Sequence, residues 1–175
     1  MQNIEKLKYP IGTFKIPENI SKEDITLWIT QLKSFPERLK QAVLPLSDTQ
    51  LDTPYRPGGW TIRQVIHHLA DTHMNIFIRV KLTLTEDHPI IKPFQQDAWV
   101  ELSDSLNYPI EPSLKILEGI HERLAYLFEN LTEDDLKKKF THPGYNKVFT
   151  IEQVIGLITW HGNHHLAHIT NSINL

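Results

Sequence analysis

The chain has 175 residues, 18 of them basic and 21 acidic, giving a formal net charge of −3 with histidine neutral; 40% are hydrophobic and none is Cys. That balance argues against a nucleic-acid or other polyphosphate partner and excludes disulfides, thiolate metal ligands and a Cys nucleophile. No apolar run approaches the ~18 residues of a membrane span and the first dozen residues lack a signal-peptide core, so the expectation is a cytoplasmic protein with no membrane partner, one domain over residues 1–175.

Four long helical patterns follow one another, without a convincing run of alternating strands. The first opens at Ser21, with Asp24 three residues on as a capping pair, and carries Ile25, Trp28, Ile29, Leu32, Leu39 and Val43 at helical spacing. Pro36 lies inside it and is expected to kink or divide the helix, since it removes a backbone donor. Residues 52–59 read as a loop by their Pro and Gly content. The second helix starts at Thr61 with Gln64 completing a capping box, and its stripe is Ile62, Val65, Ile66, Leu69, Ile76, Phe77, Val80 and Leu84. A long connection, residues 86–111, leads to a third helix running from about Pro112 to Leu131. Such a crossover lets consecutive helices of a bundle run parallel. Residues 142–150 read as a turn or short hairpin, and the fourth helix starts at Thr150.

Ten histidines are the unusual count, and four of them, His161, His164, His165 and His168, lie on the fourth helix. At about 100° per residue, His165 and His161 fall roughly 40° and 80° from the centre of the apolar stripe, His168 and His164 roughly 100° and 140°. The first pair therefore sits on the shoulder of the buried face, and the second is expected to point to solvent. Two imidazoles one turn apart are a start for a metal site, although the same spacing also suits two ordinary, partly exposed histidines. The glutamate of the H-E-x-x-H proteases is missing. A third ligand has to come from elsewhere, and the second helix offers His67, His68 and His73. His67 faces away from the stripe. Height along an antiparallel pair favours His68, while periodicity favours His73, whose alternative role is a packed, hydrogen-bonded core ring.

The segments Tyr9-Pro-Ile-Gly12, Gln50-Leu-Asp-Thr-Pro-Tyr-Arg56, Gly58-Gly-Trp-Thr-Ile-Arg-Gln-Val-Ile-His-His-Leu-Ala-Asp71, His73-Met-Asn75 and Trp160-His-x-x-His-His-x-Ala-His-Ile-Thr170 resemble the YfiT group of metal-dependent hydrolases, within the DinB-like superfamily. The resemblance covers essentially the whole chain. It implies an all-α four-helix bundle with up-down-down-up topology, and one divalent metal per chain held by His68, His161 and His165. Of the two candidates on the second helix it selects His68. Zinc is the first candidate and nickel the second, since imidazole suits both. Three histidines with an open position form the catalytic type of site.

The expected activity is metal-dependent hydrolysis of a small-molecule substrate. Two alternatives stand beside it: an S-transferase using a low-molecular-weight thiol of the bacillithiol type, as in some DinB-like relatives, and a non-catalytic metal-binding stress protein. The resemblance also implies a homodimer. Arg63, Asp71 and Asn75 are candidates for contacts around the ligands, and Trp60, Trp99 and Trp160 for pocket walls. No nucleotide-binding glycine motif is present.

Overall fold

Ser21, Ser47, Thr61 and Thr132 each hold a hydroxyl under the backbone N–H three residues on, and the side chain there returns the bond. These reciprocal caps satisfy donors that a helix start leaves unpaired, and they fix where four of the helices begin. The structure, a computed structural model, describes residues 4–173. In chain order the helices are α1 (Ile4–Lys8), α2 (Lys22–Val43), α3 (Asp48–Leu51), α4 (Ile62–Thr85), α5 (Gln96–Trp99), α6 (Ser103–Asn107), α7 (Glu111–Glu129) and α8 (Glu133–Lys137). An antiparallel hairpin follows, β1 (Lys139–His142) and β2 (Lys147–Thr150), and then α9 (Ile151–Ile173). Thr150 ends β2 and also caps α9, its hydroxyl accepting from the Gln153 N–H at 3.4 Å.

The long helices α2, α4, α7 and α9 form the bundle. Helices α2 and α4 each pack against both α7 and α9, so they stand diagonally across it. Their directions follow from paired contacts. Trp28 meets Gly156 and Phe35 meets Gly162, so α2 and α9 run parallel. His67 meets Ser113 and His73 meets His121, so α4 and α7 run parallel. His68 meets His165 and His73 meets His161, so α4 and α9 are antiparallel. The topology is up-down-down-up, and the crossover of residues 86–110 carries the chain back between α4 and α7. A Cβ added at Gly156 or Gly162 would come within 3.0 Å of the Trp28 or Phe35 ring, so both glycines serve the close approach of α2 to α9.

Of the two outcomes expected at Pro36, division does not occur: α2 continues through it as one helix. A second expectation is corrected. His67, expected on the outside, is buried, because the end of the crossover and the first turn of α7 cover it: its ring lies 2.8 Å from the Ser113 hydroxyl on α7 and 3.2 Å from the Tyr108 carbonyl in the crossover. The crossover is tied down further by Gln64 and Arg63, which donate to the carbonyls of Val100 and Tyr108 at 3.0 and 3.1 Å.

The apolar interior falls into two clusters. One, toward the hairpin, includes Leu32, Ile76, Val80, Leu124, Ile155 and Ile158. The other, toward the opposite end, includes Phe35, Leu39, Val65, Leu69, Leu117 and Ile169. On every long helix the boundary between them is crossed at a histidine or beside one: His73 on α4, His121 on α7, His161 and His165 on α9, and on α2 the turn holding the Leu32 carbonyl. No described helix is long and apolar enough to cross a membrane.

Candidate metal centre

Helix α4 brings His68, and α9 brings His161 and His165, so that one ring nitrogen from each lies within 4.8 Å of the other two. Ring centroids are 5.3 Å apart for His68 and His161, 4.9 Å for His68 and His165, and 4.6 Å for His161 and His165. No other group of three or more potential ligand side chains meets the same spacing among the described residues. The Nε2 atoms of His68 and His161 are 3.3 Å apart. That matches the edge of a tetrahedron with bonds of about 2.0–2.1 Å, the usual length from imidazole nitrogen to zinc. The three side chains named from the sequence thus lie together, and the group is able to hold a divalent metal.

His73 lies elsewhere, fully buried in the layer between the two apolar clusters. It belongs to a chain of rings whose direction can be worked out from its end. The Leu32 carbonyl can only accept, so His121 donates its Nδ1–H to it at 2.8 Å. His121 is 1% exposed and burial pushes its pKa down to about 4, so the ring is neutral and its Nε2 accepts. The partner there is His73 Nδ1, 2.7 Å away, which must donate. Burial likewise holds His73 well below the ordinary histidine range, so its Nε2 accepts from His161 Nδ1 at 3.1 Å. The lone pair of His161 is thereby left on Nε2, facing His68.

The origin of this chain is Pro36. A proline has no N–H to give to the carbonyl four residues back, which here is Leu32. His121 supplies the missing donor.

A second chain reaches His165. The Lys8 carbonyl accepts from His168 Nε2 at 3.0 Å, leaving His168 Nδ1 as an acceptor. His165 Nδ1 lies 3.3 Å from it and donates, so the lone pair of His165 is also left on Nε2. Burial holds His161 and His165 well below the usual histidine range, with the His68 ring adding to it for His161 and the His161 and His68 rings for His165, and burial takes His68 down to about 4. The Trp60 ring sits over His68 at 4.7 Å.

His164 and His168 therefore do not point to solvent. Both are buried, because the opening of the chain and the loop before α4 fold over this side of α9. Tyr55 stacks on His168 at 4.1 Å, Trp160 stacks on His164 at 4.6 Å, and Tyr9 approaches His164 at 6.1 Å. Periodicity within one helix carries no information about such a cover. The same holds for His121, a ring that sequence reasoning misses; its place on the inward side of α7, four residues after Leu117, is the available signal.

The polar candidates near His68 go elsewhere. Arg63 pairs with Asp48 and Asp52 at 2.8 and 2.7 Å, fastening α3 and its loop. Asn75 donates to the Asp71 carbonyl in its own helix. The Asp71 carboxyl is raised to about 6 by burial and by the nearby Asp104. Of the three tryptophans, Trp160 lines a cavity beside His161, Trp60 covers His68, and Trp99 packs on Phe94.

Comparison with known proteins agrees with this architecture. Residues 31–169 match the model of the DinB superfamily. The chain is 51% identical over 164 residues to "Putative metal-dependent hydrolase YfiT" of Bacillus subtilis, covering 94% of this chain and 92% of that one. It is 47% identical to a "Putative metal-dependent hydrolase" of Geobacillus thermodenitrificans over 97% and 95% of the two chains. A solved structure described as "YfiT from Bacillus subtilis is a probable metal-dependent hydrolase with an unusual four-helix bundle topology" superposes with a TM-score of 0.95 at 49% identity, covering 97% of each chain. A four-helix bundle of up-down-down-up order, carrying three histidines able to share one ion, makes this chain a member of the DinB superfamily and of its YfiT-like group.

Proposed function

We propose that His68, His161 and His165 hold one divalent metal ion, zinc before nickel, and that the protein uses it to hydrolyse a small-molecule substrate. The observation that carries this reading is the convergence of three neutral imidazoles within 4.8 Å. Neutral nitrogen donors with no carboxylate among them suit zinc or nickel better than magnesium or calcium. When bound, such an ion supplies Lewis acidity and lowers the pKa of a water molecule it holds toward about 7.

The chain's own residues do the rest. His73 and His168 hold the two α9 rings in the tautomer that presents Nε2. Thr72 places its hydroxyl 3.4 Å from His68 Nε2, within reach of a polar group entering the centre. Trp60 shields His68 from the far side, and the cavity beside His161 leaves an approach on the near side.

The S-transferase reading retains one specific support: no Asp or Glu lines that cavity, so no carboxylate stands there to take a proton from an attacking water. A thiol, far more acidic than water before either meets a metal, would ionise there more readily without one.

Protein prepared without a histidine tag should bind one zinc or nickel ion per chain by elemental analysis. His68→Ala, His161→Ala and His165→Ala should each lower metal affinity by at least a hundredfold. Absence of uptake after dialysis against either metal would end the metal reading. Product analysis with and without a millimolar thiol separates hydrolysis from transfer, since only a transferase yields a sulfur-containing product.

A further inference from the structure

Between the β1–β2 hairpin, the stretch before α2, and the facing sides of α4 and α9 lies a cavity of about 690 Å³. His161 and Thr72 stand at its edge, so it opens on the three-histidine group. Its walls are apolar and aromatic, with Phe14, Ile76, Phe94, Phe149 and Leu157 among them. A pocket of this size and lining suits a small organic molecule.

Its charged groups are of one sign. Arg79 and Lys147 line it, and Asp and Glu are absent from its lining, although the whole chain has more acidic residues than basic ones. Arg79 forms no ion pair among the described residues. It donates over a long 3.4 Å to the Lys92 carbonyl, and its guanidinium lies 6.0 Å from the centre of the Phe94 ring. The Lys147 ammonium is 5.7 Å from the centre of the Phe149 ring.

Two buried nitrogens of lining residues also lack a partner, His142 Nδ1 and Trp160 Nε1. His142 is only 7% exposed, so water does not readily satisfy it. An indole N–H can only donate, and so can a guanidinium. Unpaired buried polar atoms are rare in a folded protein and call for an explanation. Two cations and an unpaired indole N–H on a largely apolar cavity, with no carboxylate among its lining residues to balance them, are matched by a ligand that brings negative oxygens.

We propose that this cavity binds a small organic oxyanion, a carboxylate or phosphate on an apolar body, with the charged group drawn to Arg79 and the body against the aromatic walls. Which end reacts rests on the metal reading above: the end nearer His161 would meet the metal. The bidentate fork of arginine suits either oxyanion.

Calorimetric titration of dialysed, metal-free protein and of zinc-loaded protein with 3-phenylpropanoate, phenyl phosphate and the neutral 3-phenylpropanamide tests this. Metal-free protein should bind at least one of the two anions at least tenfold more tightly than the amide, and the tighter of the two identifies the oxyanion. Arg79→Gln should remove that preference and Arg79→Lys should keep part of it, with circular dichroism confirming the fold of each. Lys147→Gln, on an exposed strand residue, should reduce the preference a few-fold. Equal binding of anion and amide overturns the proposal. So does an unchanged preference in folded Arg79→Gln, or in Lys147→Gln should Arg79→Gln fail to fold. Anion binding seen only in the zinc-loaded protein would also overturn it while leaving the metal reading intact. An Arg79-dependent preference in a protein that takes up no zinc would sink the metal reading and leave the pocket standing.

Discussion

His164 and His168 differ by one turn of the same helix, and both are buried, yet the structure gives them different work. His168 accepts from His165 and donates to the Lys8 carbonyl; the Nδ1 of His164 has no partner, and its ring packs on Trp160. His168→Phe should therefore lower zinc affinity about 10–100-fold, the usual cost of losing a group that orients a metal-bound histidine. His164→Phe should change it by less than about threefold. His121→Phe, two rings away from the centre, should behave like His168→Phe, because it leaves His73 without the acceptor that sets its tautomer. Competition titration with a chromophoric chelator gives the affinities. Long-range ¹⁵N–¹H spectra of the metal-free protein should show the His161 proton on Nδ1 in the parent and a mixture of tautomers in His121→Phe. A purely structural role for His121 would lower stability and leave the tautomer alone. Of this centre, the pair His161 and His165 is legible as the shoulder of an amphipathic stripe, and the resemblance singles out His68. The supporting rings are not legible. Their partners are main-chain oxygens on α2 and at the end of α1, and nothing in the local sequence pattern of α4, α7 or α9 encodes what another segment will lay across it.

At the scale of elements, Pro36 shows how a helix can lose a donor and stay undivided. The lost donor predicts a kink or a division of α2. The helix continues because the Leu32 carbonyl, freed by the proline, is taken up by His121 from α7. Pro36→Ala should restore the N–H and compete with His121 for that oxygen. The variant should gain about 1–2 kcal/mol of stability, part of the ~3 kcal/mol separating Pro from Ala inside a helix. Its zinc affinity should fall a few-fold as the bond to His121 lengthens. Thermal melts of the metal-free protein and the same competition titration read the two effects separately; a gain in stability with unchanged affinity would detach Pro36 from the centre. The helices themselves are readable because caps and apolar spacing agree, at Ser21, Thr61 and Thr150 alike. The short helices of the crossover, α5 and α6, lack side-chain caps, and only the amphipathic stretch from Asp97 to Leu102 hints at order there.

For the whole molecule, the layer of neutral rings sets a dependence on pH. His68 and His121 have folded-state pKa values of about 4, and those of His73, His161 and His165 are also well below the ordinary 6.5. Between pH 6.5 and about 4 the unfolded chain therefore holds more protons than the folded one. Stability is full above pH 6.5 and falls as the pH drops through that window. A tenfold change in proton affinity is worth about 1.4 kcal/mol, so the buried His121 ring alone accounts for roughly 3 kcal/mol, on the order of a third of a typical domain's stability. Asp71, raised to about 6, works in the opposite direction, but it is only partly buried and screened by water. Urea unfolding of metal-free protein should show a midpoint that is flat from pH 8 to 7 and drops steeply from 6.5 to 4.5. A flat profile across the lower range would mean that these rings already carry protons in the folded state.

Both anchors of the ring chains, the carbonyls of Leu32 and Lys8, belong to the first quarter of the chain, which contributes none of the three histidines. A main-chain oxygen survives replacement of the side chain beside it. Drift at position 8, and exchange among apolar side chains of similar size at the buried position 32, is therefore tolerable to the centre so long as the backbone path is kept, whereas a one-residue insertion that rotates α2 would move the Leu32 oxygen by about 100° around the helix and strand His121. For these two anchor oxygens, what selection has to guard is length and register more than the side chain each residue carries.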